Sequence, residues 1–218
     1  MNGPMSKITV EMIRQALARP LPGAAAQVRL SPAFRVEQLQ QPPVDTRNAG
    51  VLIVLYPHAG ELYFPLTRRT DDLAAHKGQI SLPGGSQEEG ESLRDTALRE
   101  TAEEIGVYMD ASNVLGHLST LYVQPSRFLI TPYVAALTAR PDFRVTAREV
   151  AELIEVPLAM LLDPQVVRRE LWTLREIEAE VPFFQIGAHK VWGATAMVLS
   201  EFAMAIEQSS DFAENSEV

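Results

Sequence analysis

The stretch GSQEEGESLRDTALRETAEEIGV, residues 85–107, holds Arg99 followed by Glu100, Glu103 and Glu104. Successive residues of an α-helix are rotated by about 100°, so Glu103 lies about 60° to one side of Glu100 and Glu104 about 40° to the other. Three carboxylates on one helix face repel one another. A bound cation would offset this repulsion, and carboxylate oxygens suit Mg²⁺ or Mn²⁺. The pattern therefore predicts a helix that carries a divalent-metal site.

The same spacing resembles the Nudix box, whose pattern is G-x5-E-x7-R-E-U-x-E-E-x-G-U, with U an aliphatic residue. The positions that match in register are Gly85, Glu91, Arg99, Glu100, Glu103, Glu104, Gly106 and Val107. Thr101 stands where the family has an aliphatic residue, on the apolar side of the helix, so we expect it to affect packing more than metal binding. The resemblance implies metal-assisted cleavage of a nucleoside diphosphate linked to another group.

The resemblance also implies roles for individual residues. Glu100 and Glu104 are expected to bind the metal directly, with Glu103 as a further ligand or the general base and the Gly85 carbonyl as another oxygen ligand. A charge-assisted contact is expected from Arg99 to Glu100 or Glu91.

The family usually has a further carboxylate outside the box. Glu149 is the preferred candidate for it, followed by Glu152. The predicted catalytic residues are therefore Glu103, Glu104, Arg99 and Glu149.

A second stretch, residues 66–85, helps to identify the substrate. It resembles the motif L-L-T-x-R-S-x-x-L-R-x-H-x-G-x-x-x-F-P-G-G of the coenzyme A pyrophosphatase branch of the Nudix family, and residues 191–196, VWGATA, also resemble that branch. Ala74 replaces a basic residue of the motif, which leaves other substrates open. Phosphate contacts are predicted for Arg68, Arg69 and His76.

Composition limits the class of protein. The chain has 218 residues, of which 46% are hydrophobic, enough for one domain with extensions. It has no cysteine, which excludes disulfides, thiolate metal sites and cysteine nucleophiles. A net charge of −9 argues against nucleic-acid binding, and no apolar run is long enough to cross a membrane. We therefore expect a cytoplasmic protein that acts on a small nucleotide.

The order of predicted elements indicates an α/β/α sandwich with a mixed sheet, as the Nudix resemblance also implies. Residues 1–45 read as an N-terminal extension with a helix and a loop, 46–208 as the Nudix domain, and 209–218 as an acidic, disordered tail. A long helix is predicted over 190–208, in which Trp192 is expected to pack in the core rather than stack on adenine. The extension and this helix could support a homodimer.

Three readings of function remain open from the sequence. The first is a Mg²⁺- or Mn²⁺-dependent pyrophosphatase acting on coenzyme A or acyl-CoA. The second keeps the reaction but changes the substrate to ADP-ribose, NADH or a similar compound. The third is a non-catalytic binding or regulatory module, or an ion site that only stabilises the fold.

Overall fold

The chain is described here from a computed structural model that covers residues 7–32, 42–70, 78–174 and 176–209. The strands are β1 (Arg47–His58), β2 (Glu61–Arg69), β3 (Ile80–Ser81), β4 (Gly84–Ser86), β5 (Val114–His117), β6 (Leu121–Val123), β7 (Phe128–Ala136), β8 (Val150–Pro157), β9 (Val167–Leu174), β10 (Ile177–Ile186) and β11 (His189–Trp192). The α-helices are α1 (Val10–Leu17), α2 (Ala24–Gln27), α3 (Leu93–Ile105) and α4 (Gly193–Glu207), and short 3-10 helices cover Val28–Leu30, Ala111–Asn113, Gln124–Ser126, Leu158–Leu162 and Pro164–Val166. His76 and residues 210–218 of the predicted tail lie outside the described residues, whereas Ser209 is buried and its hydroxyl donates to the Ile206 carbonyl at 2.8 Å.

The main sheet is built around β1. Within the described residues its strands run in the order β3-β2-β1-β7-β5, with β4 also paired to β1, β6 to β7 and β8 to β2. Strand β1 runs parallel to β7 and antiparallel to β2 and β4, so the sheet is mixed. The sequence prediction of a mixed α/β fold is confirmed.

Side chains of β1 alternate between two cores because successive residues of a strand point to opposite faces. Leu52 and Val54 belong to the cluster that packs under α3, while Ile53 and Leu55 belong to the larger cluster that includes α4. The main sheet therefore lies between α3 on one side and α1 and α4 on the other. No helix among the residues described here has the length and apolar character that spanning a bilayer requires.

Helix α3 begins and ends as its local sequence predicts. The Ser92 side chain accepts a hydrogen bond from the Asp95 N–H at the amino end, and Gly106 adopts a left-handed conformation (φ 71°) at the other. Thr101 is buried and its hydroxyl donates to the Ala97 carbonyl at 2.6 Å, so its polar group is satisfied within the helix. Its position agrees with the expectation that this residue affects packing.

The structure differs from the sequence prediction at two places. Residues 190–192 are not the start of a helix but part of β11, which pairs with β10, so α4 begins at Gly193. Residues 150–157 form β8, an edge strand paired with β2 that was not predicted; it contains Glu152, and Glu149 lies in the turn just before it. Strand β8 pairs with β2, which is distant in the sequence, and β11 forms a hairpin with β10. Local periodicity reveals neither pairing.

Candidate active site

A cavity of about 570 Å³ opens between β1, β7 and the first turns of α4. Its floor consists of side chains from one face of two paired strands: Ala49 and Val51 on β1, and Phe128 and Ile130 on β7. Leu82, Val123, Trp192 and Val198 extend this apolar surface. The opposite end is polar and contains Gly84, Gly85, Arg69 and three carboxylates, those of Glu100, Glu104 and Glu149.

Glu104 is the most buried of these carboxylates, with 4% of the residue exposed. Its Oε2 accepts a hydrogen bond from the Gly84 N–H at 3.2 Å. Burial raises the pKa of Glu104 to about 7; the Gly84 N–H and Arg69 act against this rise, and Glu100 and Glu149 add to it. The three carboxylates are thus close enough for Glu100 and Glu149 to raise the pKa of Glu104. A cation bound among them would favour their ionised forms.

Glu100 lies directly over the Gly84–Gly85 segment of β4. A Cβ atom on Gly85 would lie 2.5 Å from both carboxylate oxygens of Glu100, so no larger residue fits there without moving the carboxylate. Gly84 has a φ of +150°, and a Cβ atom there would lie 2.6 Å from the Val51 Cα. The glycine pair therefore brings the backbone close to the buried Glu104 and the half-buried Glu100.

Arg99 holds the outer side of the carboxylate cluster. Its guanidinium contacts Glu91 (Nε to Oε1, 2.9 Å), Glu100 (Nη1 to Oε1, 2.8 Å) and Glu103 (Nη1 to Oε2, 3.2 Å), and donates to the Ser86 carbonyl at 3.2 Å. The sequence offered Glu100 or Glu91 as its partner, and the structure places it against both. The Glu100 pKa is still raised, because burial outweighs the effect of Arg99.

Glu103 differs in placement from its two neighbours on α3. Its side chain is 60% exposed, contacts Arg99, and is not part of the cavity lining. Its role as metal ligand or general base stays a prediction.

The two predicted arginines point in different directions. Arg69 lines the cavity, and its buried Nε has no hydrogen-bond partner in the part of the chain described. Arg68 instead pairs with Glu152 (Nε to Oε2, 3.1 Å), whose other oxygen lies 3.2 Å from the His189 ring. Neither Arg68 nor Glu152 is among the cavity-lining residues. Of the two residues proposed for the extra carboxylate, Glu149 is therefore the one near the site.

The fit of the cavity to Mg²⁺ or Mn²⁺ depends on the atoms that could bind the ion. Within the described ranges, no three acidic or histidine side chains already converge in a ready-made metal cage. The polar end of the cavity nevertheless offers oxygen donors only, from Glu100, Glu104, Glu149 and the backbone at Gly85. A buried carboxylate that accepts one N–H bond, as Glu104 does, has lone pairs left for a cation. Oxygen donors of this kind fit a hard divalent ion.

Trp192 lies in the cavity wall and also takes part in aromatic packing on a second, three-stranded sheet of order β11-β10-β9. Its ring packs edge-on against Trp172 with centroids 5.3 Å apart, and it lines the cavity. The sequence predicted core packing alone. The residues of the β6–β7 connection that line the cavity, Pro125 and Ser126, were not predicted, because nothing in their local pattern indicates a binding surface.

Comparison with known proteins gives consistent relatives. A family model described as NUDIX domain matches residues 46–177. The chain is 35% identical over 180 residues to an uncharacterized Nudix hydrolase, NudL, of Pectobacterium atrosepticum, covering 78% of this chain and 90% of the relative. It is 32% identical over 193 residues to the mitochondrial coenzyme A diphosphatase NUDT8 of Homo sapiens, covering 86% of this chain and 75% of the relative.

Solved structures give the same fold. A crystal structure of a NUDIX hydrolase from Nitrosomonas europaea matches with a TM-score of 0.50 at 16% identity, covering 76% of this chain and 73% of that chain. At this identity the likeness shows the fold alone.

Proposed function

This chain belongs to the Nudix hydrolases, enzymes that act on phosphoanhydride bonds, and we propose that it cleaves the diphosphate bridge of coenzyme A or acyl-CoA. The products would be 3′,5′-ADP and 4′-phosphopantetheine or its acyl form. One observation carries the proposal: a single cavity joins an oxygen-donor end, with Arg69 beside it, to an extended apolar wall. Such a cavity suits a diphosphate that carries a base on one side and a long, mostly uncharged arm on the other.

The polar end supplies the groups that the reaction needs. In this proposal Glu100, Glu104 and the Gly85 carbonyl would hold Mg²⁺ or Mn²⁺, which when bound polarises phosphoryl oxygens and acidifies water. Arg69 would place its guanidinium against a phosphate oxygen, since its buried Nε has no partner within the described chain. Glu149 would accept a proton from the attacking water.

Two further groups would preserve the geometry. Arg99 would hold Glu100 in place from the outer side through the 2.8 Å contact between them. Gly85 would keep the backbone within reach of the same carboxylate, because a side chain there would displace Glu100. Neither group needs to touch the substrate.

Two observations favour coenzyme A as the substrate: the residues that form part of the cavity wall, and the name of a similar human protein. The stretch 191–196 that resembles the coenzyme A branch contributes Trp192, Gly193, Ala194 and Thr195 to the cavity wall. The human relative is named a coenzyme A diphosphatase. These points favour coenzyme A over ADP-ribose or NADH, which use the same chemistry.

A substrate panel tests the proposal. The purified protein would be incubated with Mg²⁺ and, separately, coenzyme A, acetyl-CoA, ADP-ribose and NADH, and the products would be identified by mass spectrometry. We expect 3′,5′-ADP and a phosphopantetheine from the first two, and at least tenfold lower kcat/KM for the others. Rapid cleavage of ADP-ribose with coenzyme A left intact would contradict the proposed substrate and keep the reaction.

A further inference from the structure

Arg47 lies outside the cavity lining, next to the row of side chains that forms the cavity floor. Strand β1 presents Arg47, Ala49 and Val51 on the same face, because side chains two residues apart point the same way. In the parallel pairing with β7, Ala49 lies opposite Ile130 and Arg47 lies opposite Phe128. Arg47 is therefore the next side chain in the row that forms the floor.

Two contacts hold the Arg47 side chain at the cavity rim. Its guanidinium carbon lies 4.1 Å from the centroid of the Phe128 ring, and its Nη2 donates to the Ser126 carbonyl at 3.1 Å. Phe128 and Ser126 both line the cavity. A guanidinium stacked on an aromatic ring keeps its remaining N–H groups directed along its edge, where they can bind an anion.

In the part of the chain that the structure describes, no carboxylate neutralises the charge of Arg47. Among the described residues its side chain takes part in no ion pair, whereas nearby Asp45 is paired with Arg127 at 2.6 Å. The protein as a whole carries a net charge of −9. Arg47 is thus a cation held in place by its two contacts, and it lies at the edge of the site proposed to bind phosphorylated substrates.

We propose that Arg47 determines substrate specificity by binding a phosphate monoester on the ribose of the nucleotide, distinct from the diphosphate that is cleaved. The position suits this role. Gly50 pairs with Gly85 at the polar end, and Arg47 is three residues away along the strand, about 10 Å at about 3.3 Å per residue. The proposal rests on the proposed function, since coenzyme A carries such a phosphate and its dephosphorylated form does not.

Binding of product nucleotides tests the contact without requiring catalysis. Calorimetry with Mg²⁺ present would compare 3′,5′-ADP with AMP, which differ only by the ribose phosphate. We expect the unmodified protein to bind 3′,5′-ADP tighter on the order of 10- to 100-fold, as for a hydrogen bond between charged groups. Arg47→Met should remove most of that preference and leave AMP binding within about twofold.

Two further variants complete the experiment. Arg127→Met removes a neighbouring arginine already paired with Asp45 and should keep the preference. Arg47→Gln keeps a donor for the Ser126 carbonyl and replaces the methionine variant if that one fails to fold. The proposal is overturned if the unmodified protein shows no preference, if the Arg47 variants retain it, or if they weaken 3′,5′-ADP and AMP equally.

The outcome is separable from that of the proposed function. Hydrolysis of coenzyme A and dephospho-CoA would be measured on the same protein samples. A preference for 3′,5′-ADP without cleavage of coenzyme A would support the Arg47 contact and reject the proposed reaction. Equal cleavage of both compounds, with equal binding of 3′,5′-ADP and AMP, would reject the Arg47 contact and retain the diphosphatase.

Discussion

Replacement of Glu91 by glutamine tests how strongly the Arg99 cluster stabilises the amino end of α3. Glu91 is 16% exposed at its side chain, and both its oxygens contact the Arg99 guanidinium, at 2.9 and 3.2 Å. The Thr96 hydroxyl donates to it at 2.7 Å and the Glu88 N–H at 3.3 Å. These donors, Arg99 above all, lower the pKa of Glu91 from 4.5 to about 2.

The pKa change sets the magnitude and the sign of the effect. One pH unit corresponds to about 1.4 kcal/mol, so the lowered pKa represents about 3 kcal/mol of unfolding free energy. Because the folded-state pKa is below the unfolded one, this stabilisation is complete above about pH 5 and is lost as the pH falls towards 2. About half of it should remain at pH 3. Glutamine keeps one acceptor oxygen, so 3 kcal/mol is an upper value for the substitution.

Urea unfolding of Glu91→Gln and the unmodified protein, at intervals from pH 7 to pH 3, measures the effect. We expect the variant to be less stable by up to about 3 kcal/mol at pH 7, with the two proteins converging as the pH falls. Glu89→Gln, at an exposed position of the same loop, is the matched control and should change stability by less than about 0.5 kcal/mol. A constant difference between Glu91→Gln and the unmodified protein across the whole pH range would refute the reasoning.

Three other predictions concern the cavity. Glu104→Gln should lower kcat/KM by at least about 100-fold and abolish the Mg²⁺-induced rise in melting temperature. Without metal, the variant should melt within a few degrees of the unmodified protein. A large loss of stability without metal, with activity retained, would favour a structural ion site. Gly85→Ala should displace the Glu100 carboxylate and reduce turnover by at least about tenfold, visible in single-turnover kinetics. Arg69→Met should raise KM on the order of tenfold, whereas Arg68→Met, outside the cavity lining, should leave KM unchanged. Equal effects of the two substitutions would contradict the proposed phosphate contact of Arg69.

The carboxylate end of the cavity could be predicted from the sequence because it depends on local structure. Helix α3 has both its cap residues within its own sequence, and its 3.6-residue period places Glu100 and Glu104 together. The same periodicity also groups Glu103 with them, but its side chain is 60% exposed and lies outside the cavity lining, so its role stays a prediction. The long Arg99 side chain, four residues earlier, reaches it on the solvent side.

The direction of Arg68 and Arg69 could not be predicted. Neighbouring residues of a strand face opposite sides, so one of the two must leave the cavity. Which one does so depends on the pairing of β2 with β8, whose register shifts between these two residues. The shift arises from pairing with β8, which lies about 80 residues later in the chain. The sequence around residue 68 therefore does not encode it.

The substrate end of the cavity depends still more on long-range packing. Its wall includes the first turns of α4, which lies beyond the segment 46–177 matched by the family model. Helix α4 is held by Glu201, a fully buried carboxylate that accepts hydrogen bonds from the Gly23 N–H (3.2 Å), the Gln27 side chain (2.8 Å) and the Ser119 N–H (3.1 Å). A buried anion needs such donors, and two of the three come from the N-terminal segment. The Nudix box therefore specifies the carboxylates but not this wall, and for that reason the sequence predicts the class of reaction more sharply than the substrate.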